Sequence, residues 1–332
     1  MTRIVIVGAG VIGLTVAFKL CHLGYEIIIL SRDLPADELR PRYTSQWAGA
    51  HVRPAPVDAD KEEEFQTFIE KSYKEFQRLT MVPGSSVIKV EGVEYLEFDD
   101  PKYRNPKGFY SRLPNFRHIS KSDLPPSVVI GTAYDTYCLT PGVYLNYLVD
   151  RIPGTRLIRS TLKSIFDAYH YGDIVINCTG NGLLDGRLDE KWFPIRGHTL
   201  LLNPQKTPMQ TITYQLKDGR WAFIIPRQNG TMILGGTKSP YNYSTEMDDK
   251  ETEWLLETAR KYFIEYTGPE PEIIRHNIGL RLAREGGPRV EAEVTPKGTL
   301  IHCYGFAGSG FEMSWGAADK VADLLKSATS KL

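Results

Sequence analysis

The glycines of Gly8-Ala9-Gly10-Val11-Ile12-Gly13 match the spacing GxGxxG, and each has a separate task. The first permits a tight turn, the second lets backbone approach a pyrophosphate, and the third lets a helix close on a strand. The N–H groups and positive dipole at that helix start then face an anion. The motif sits where this chemistry requires it, after the apolar β-branched run at residues 4–7 and before a helical pattern at 11–23, in which Val16, Leu20 and Leu23 recur. Gly24 is placed to end that helix. Residues 26–30 read as the next buried strand, giving a βαβ opening of about 30 residues. A ribose-reading acid is expected about 20 residues after the motif. Ser31-Arg32-Asp33 stand there, so either Arg32 or Asp33 can face an adenosine. At this point FAD and NAD fit equally.

A second glycine-rich turn, Gly305-Phe306-Ala307-Gly308-Ser309-Gly310, precedes a helix expected to begin near Phe311 and to run into Leu325. Its N-terminus would face the far end of a long cofactor. A positive dipole at the N1–C2=O edge of a flavin stabilises the anionic reduced ring, and a nicotinamide has no such need. This turn therefore favours FAD.

Other chemistries find little support. The seven histidines form no Ser/His/Asp or Cys/His constellation. Cys21, Cys138, Cys178 and Cys303 are far apart and lack ligand spacing, which points away from a disulfide framework or zinc site. Forty basic residues balance forty acidic ones, so neither a nucleic-acid nor a membrane partner is expected. No apolar run approaches the roughly 18 residues of a membrane span, and the chain enters a strand directly after Met1-Thr2-Arg3, without room for a signal peptide. A soluble protein is expected. Ser330-Lys331-Leu332 has the form of the tripeptide read by the peroxisomal import receptor, which sets an expectation of the peroxisomal matrix. Oligomeric state stays open, a homo-oligomer included.

A chain of 332 residues exceeds the usual single core, so two joined domains or one large α/β unit must position these groups. Residues 60–80 place Phe65, Phe68, Ile69, Ser72, Phe76 and Leu79 on one helical face. Residues 87–160 read as short strands, 92–98 among them, with a helix at 140–151. The apolar run 173–180 returns the chain to the first sheet, and 221–226, 231–236 and 300–304 read as further strands. Asp248 with Glu251 forms a capping box before a helix carrying Leu255, Leu256, Ala259, Tyr262, Phe263 and Tyr266. The predicted fold class is α/β: a Rossmann-like nucleotide-binding domain from residues 1–50, 130–195 and 290–332, interleaved with a β-rich α+β substrate domain from 51–129 and 196–289.

Several blocks in family order resemble the D-amino-acid oxidases and D-aspartate oxidases over nearly the whole chain. Besides the first glycine motif they include Trp47-Ala48-Gly49-Ala50, Tyr134-Asp135-Thr136, Asn177-Cys178-Thr179-Gly180, Arg196-Gly197, Ile224-Ile225-Pro226-Arg227 and Leu234-Gly235-Gly236-Thr237. The stretch from His276 to Arg284 belongs with these blocks, while Gly286-Gly287-Pro288-Arg289 with Val290 to Glu293, and Tyr304-Gly305-Phe306 with Ser314-Trp315-Gly316-Ala317, are similar to the fungal members in particular. The resemblance implies noncovalent, extended FAD lying between the two domains. Carried over by position, its contacts would be Gly8, Gly10, Val11, Ile12, Arg32 or Asp33, Thr44, Ser45, Gly49, Ala50, Thr179, Gly308, Ser309, Gly310, Phe311 and Glu312. Glu312 departs from the pattern, because an anion beside a reduced flavin is unfavourable unless its side chain turns away.

The resemblance also implies that Arg281 holds the substrate's α-carboxylate with a bidentate fork. Phe223 stands where the family usually has a tyrosine hydroxyl. Hydride would leave the α-carbon of a neutral amine by positioning alone, with no general base among the catalytic groups. The imino acid would hydrolyse to an oxo acid and ammonia, and oxygen would be reduced to hydrogen peroxide. His51, Arg53, Lys217, Arg220 and Lys238 add basic groups near the expected pocket edge. A second carboxylate would need such a cation, and a neutral substrate would leave it unpaired. Lys238 and Arg53 are the preferred pair, and acidic D-amino acids, D-aspartate first, the expected substrates. The alternatives are an oxidase of neutral or broad D-amino acids, an NAD-dependent dehydrogenase, and a flavin-binding protein without turnover.

Overall fold

Alternating side-chain direction along the first strand, buried on both faces, decides how the layers stack. The computed structural model describes residues 3–53, 62–106 and 108–329. In chain order its elements are β1 (Arg3–Val7), α1 (Val11–His22), β2 (Glu26–Ser31), α2 (Glu62–Leu79), β3 (Ile88–Leu96), α3 (Pro101–Arg104), β4 (Arg117–His118), β5 (Ile130–Cys138), α4 (Pro141–Val149), β6 (Arg156–Arg159) and β7 (Ile174–Asn177). Then follow β8 (Trp192–Asn203), β9 (Gln210–Gln215), β10 (Trp221–Pro226), β11 (Met232–Gly235), β12 (Ser239–Pro240), α5 (Asp249–Tyr262), α6 (Ile264–Thr267), β13 (Glu272–Arg284), β14 (Arg289–Thr295), β15 (Gly298–Tyr304) and α7 (Gly310–Thr329).

The first sheet has the order β14-β15-β7-β1-β2-β6 and is parallel except where β14 returns against β15. Ile4 and Ile6 face a core shared with α1, α2, α4 and α7, whereas Val5 and Val7 face a smaller cluster with Ile165 and Ala168. Burial on both faces explains the unbroken apolar run. Two glycines set the close approaches. A Cβ on Gly13 would lie 1.9 Å from the Gly8 carbonyl oxygen, and one on Gly316 would lie 2.1 Å from the Phe68 Cα, so α1 rests on its own turn and α7 on α2.

The second sheet runs β12-β8-β11-β10-β9-β3-β5-β4, with β13 also paired to β8. Leu255 and Ala259 of α5, with Phe263 at its C-cap, pack on Leu200, Leu202, Ile224 and Leu234 of this sheet. Register places Arg281 opposite Ile195 and Gly279 opposite Gly197.

Three expectations need correction. β5 pairs with β3 along its whole length, so residues 130–138 belong to the second sheet and not to the nucleotide unit, which resumes at α4. β8 begins at Trp192, ahead of the expected boundary at 195. Asp248 does cap α5, accepting from the Lys250 and Glu251 N–H groups at 2.8 and 3.4 Å, but the Glu251 carboxylate binds Arg196 and does not close the box. Among the described residues no helix is long and apolar enough to cross a membrane, and no His/Cys/Asp/Glu group is placed to hold a metal. Ser330, Lys331 and Leu332 lie outside the described residues.

Candidate active site

A cavity of about 1400 Å³ opens between the two sheets, from the turn before α1 to the turn before α7. Ordinary small-molecule pockets run to roughly 300–1,000 Å³, so this one is sized for a long ligand and a second, smaller one.

At one end Gly8 has φ of +114°, and a Cβ there would lie 2.3 Å from the Cys178 carbonyl oxygen. Only glycine fits. The Ala9 N–H donates to Ser31 Oγ at 3.1 Å and the Val11 N–H to Ser45 Oγ at 3.0 Å. Helix α1 has no acidic residue in its first turn and no side-chain cap, which leaves its positive end facing the cavity together with Gly10, Val11 and Ile12. Arg32 and Asp33 both line the wall, joined by an ion pair of 2.6 Å, so the pair and not one residue borders the expected adenosine position. Arg42 lines it beside them.

The middle of the wall is the segment Thr44 to Ala50. Thr44 Oγ1 donates to the Leu280 carbonyl at 2.5 Å, tying the segment to β13. Arg227 donates to the Gly49 and Ala48 carbonyls at 2.9 and 3.2 Å, and burial, reinforced by Arg275, pushes its pKa down to about 10. Thr179 donates to Asn177 Oδ1 at 2.7 Å on the opposite side. Gly308, Ser309, Gly310, Phe311 and Glu312 close the far end. Glu312 is 5 % exposed, and its charge helps disfavour the phenolate of Tyr73 on α2, after the larger effect of burial.

Arg281 projects from β13 across Gly197. A Cβ on Gly197 would lie 2.4 Å from its Nη1, and one on Gly308 would lie 3.7 Å from its Cδ, so the guanidinium sits between β8 and the turn that starts α7. Nη1 donates to the Thr237 carbonyl at 3.3 Å. Among the described residues no carboxylate pairs with it, and burial lowers its pKa. The Phe223 ring lies on Gly235, where a Cβ would come within 2.2 Å, and offers no hydroxyl.

The other basic candidates divide. Arg53 lines the cavity, but Glu94 on β3 takes its Nε and Nη2 at 2.5 and 2.7 Å, with the carboxylate also held by Tyr103, Tyr134 and Gln215. Its charge is compensated, which corrects the expectation of a free cation. His51 lines the cavity as a neutral imidazole, because burial and then Arg53 depress its pKa to about 3. Lys217 is exposed and lies outside the wall. Arg220 lines the rim, paired with Asp218 at 2.6 Å and stacked over Trp254 at 4.8 Å. Lys238 is exposed in the wall without an ion-pair partner among the described residues.

Residues 3–324 match the family model described as FAD dependent oxidoreductase. The chain belongs to that family. It is 34% identical to a D-aspartate oxidase of Talaromyces thermophilus, with 97% of this chain and 95% of the relative covered. It is 32% identical to a D-amino-acid oxidase of Schizosaccharomyces pombe, with 95% and 93% covered. Among solved structures, glycine oxidase from Bacillus cereus ATCC 14579 superposes with a TM-score of 0.77 at 17% identity, covering 99% of this chain and 98% of that one.

The cradle of this FAD dependent oxidoreductase fits its cofactor. Gly8 admits backbone where a side chain would clash, α1 starts at the cavity wall with no acidic residue in its first turn, and the cavity continues to the start of α7. Motif reading missed Arg42, Trp192, Tyr243, Lys250 and Trp254, all in the same wall, because they lie on loops, at the first residue of β8 and on α5 without local signature. Glu94 shares the mixed polar and apolar sequence of β3 with a second acid, Glu91, so no local pattern singles it out.

Proposed function

We propose that this oxidoreductase deaminates D-amino acids oxidatively to the oxo acid and ammonia, with oxygen reduced to hydrogen peroxide, and that it favours acidic substrates, D-aspartate first. The observation that carries the reading is Arg281, a guanidinium without a carboxylate partner among the described residues, set between Gly197 and Gly308 in the wall of the cofactor cavity. FAD, when bound, accepts the hydride equivalent and passes its electrons to oxygen.

The chain's own residues bind and orient. The planar fork of Arg281 matches an α-carboxylate in two hydrogen bonds, fixing which face of the α-carbon is presented. Phe223 makes that wall apolar, so the arginine carries the anchoring. His51 is neutral and contributes no charge. Lys238 supplies an uncompensated cation for a second carboxylate, and the names of the relatives, a D-aspartate oxidase and D-amino-acid oxidases, agree with both parts of the reading.

The test is a peroxide assay with D-aspartate, D-glutamate, D-alanine and their L-enantiomers on protein carrying FAD. Turnover of the D-forms with D-aspartate leading is expected. A strong preference for D-alanine would overturn the acidic reading and leave a neutral or broad oxidase. Absence of peroxide from every amino acid would overturn the oxidase reading itself.

A further inference from the structure

The rim of the cavity carries a residue that breaks a local rule. Lys250 is the second residue of α5, where the helix dipole favours anions and disfavours an ammonium group. Asp248, Asp249 and Glu251 are the expected residues for such a turn, and Lys250 is the exception among them. Rule-breaking residues of this kind concentrate at functional sites. Lys250 lines the cavity, is exposed, and has no ion-pair partner among the described residues.

Its surroundings are also cationic. Trp254, one turn further along α5, lies on the same helix face, and the Arg220 guanidinium sits 4.8 Å above its ring. Lys238 enters the same wall from the other side, after β11. Of the acids nearby, Glu251 pairs with Arg196, Asp218 pairs with Arg220, Asp248 accepts from the N–H groups that open α5, and Asp249 lies outside the cavity wall. Two ammonium groups without an ion-pair partner among the described residues thus stand at a mouth whose aromatic walls, Trp192, Tyr243 and Trp254, exclude part of the solvent. Clefts lined by one sign of charge raise the capture rate of opposite charges, and the effect falls with ionic strength.

We infer that Lys250 is a specificity-determining capture residue, which with Lys238 and the Arg220–Trp254 stack forms an outer cationic collar admitting dicarboxylic substrates ahead of monocarboxylic ones. The inference rests on the oxidase reading and deepens it: Arg281 recognises the carboxylate that every amino acid has, and the collar recognises the one that only acidic amino acids add.

The experiment compares the holoenzyme with its Lys250→Gln variant, and with Lys121→Gln as an exposed change outside the cavity. At low ionic strength Lys250→Gln should lower kcat/KM for D-aspartate by about three- to tenfold, through KM with kcat held, and affect D-alanine less than about twofold. The gap should close as salt is raised, and Lys121→Gln should match the unaltered protein. Equal losses for both substrates, or no loss, would overturn the collar. Binding of malonate, an unreactive dicarboxylate, measured by calorimetry on the same proteins, separates the two readings. If no D-amino acid gives peroxide yet malonate binds Lys250→Gln more weakly by a similar factor, the oxidase reading falls and the dicarboxylate collar stands. Malonate affinity unchanged by the substitution would remove the collar whatever the turnover.

Discussion

A guanidinium in a half-buried wall needs an anion, and Arg281 finds none from the described residues. Desolvation lowers its pKa, but a guanidinium keeps its proton in proteins, so the cavity wall holds a standing positive charge. Truncating one partner of a desolvated, hydrogen-bonded charge pair costs about 2–5 kcal/mol. Arg281→Leu is therefore expected to lower kcat/KM for D-aspartate by about 100-fold or more, with Arg281→Lys recovering part through charge without the fork. Visible flavin absorption should survive in both variants, because the substitution lies at the far end of the cavity from Gly8. Unchanged turnover in Arg281→Leu would end the assigned role. At this scale the sequence was informative wherever a residue acts with its chain neighbours, as in the two glycine turns. It misled at Arg53, because the carboxylate that compensates it stands 41 positions away on β3, and no local pattern announces such a pair.

Elements were legible where one periodicity ruled. The amphipathic face of α2, the turn-to-helix start of α1 and the apolar runs of β1, β2 and β10 all follow from side-chain spacing. The long strands β8 and β13 were not foreseen, because polar residues such as Arg196, His198, Asn277 and Arg281 fall among their apolar ones and blur both periods. The expected domain boundary at 130 groups residues 130–138 with the nucleotide unit although β5 pairs with β3, because the pattern reveals a strand but not its partner. The contact between α1 and its turn gives an element-scale test. Gly13→Ala would push a Cβ to 1.9 Å from the Gly8 carbonyl oxygen, so helix and turn must separate. Overpacking of this kind costs about 1–3 kcal/mol, and here it also displaces the N–H groups aimed at the pyrophosphate. The purified variant should lose flavin colour on desalting and show a lower Tm. Gly142→Ala on α4, where a Cβ would meet nothing within 4 Å, should keep both. A Gly13→Ala protein as yellow and as stable as the parent would show that the turn tolerates the shift.

The two sheets share the cavity, so what joins them also fixes the distance between cofactor cradle and substrate wall. One junction is a buried polar knot: Asp189, just before β8, accepts from Tyr304 of β15 at 2.6 Å and from Arg284 of β13 at 2.9 Å. Arg284 belongs to the second sheet and Tyr304 to the first, and Tyr304 also lines the cavity. Burial alone would raise the Asp189 pKa, but hydrogen bonds from Tyr304, Arg284 and the Lys191 N–H outweigh it and hold the group at about 2. A carboxyl whose pKa is depressed on folding binds protons more readily when unfolded. Its stabilisation is therefore full above its ordinary value near 4 and is lost as pH falls from there towards about 2. Asp189→Asn cannot ionise. The variant should unfold at lower urea concentration than the parent at neutral pH, and the difference between the two should shrink as the pH is taken below about 4. A difference that stays constant across that range would show that the knot acts by packing alone. Because the knot sets the spacing of the sheets and touches neither Lys238 nor Lys250, the ranking of D-aspartate over D-alanine should survive the substitution even where turnover falls.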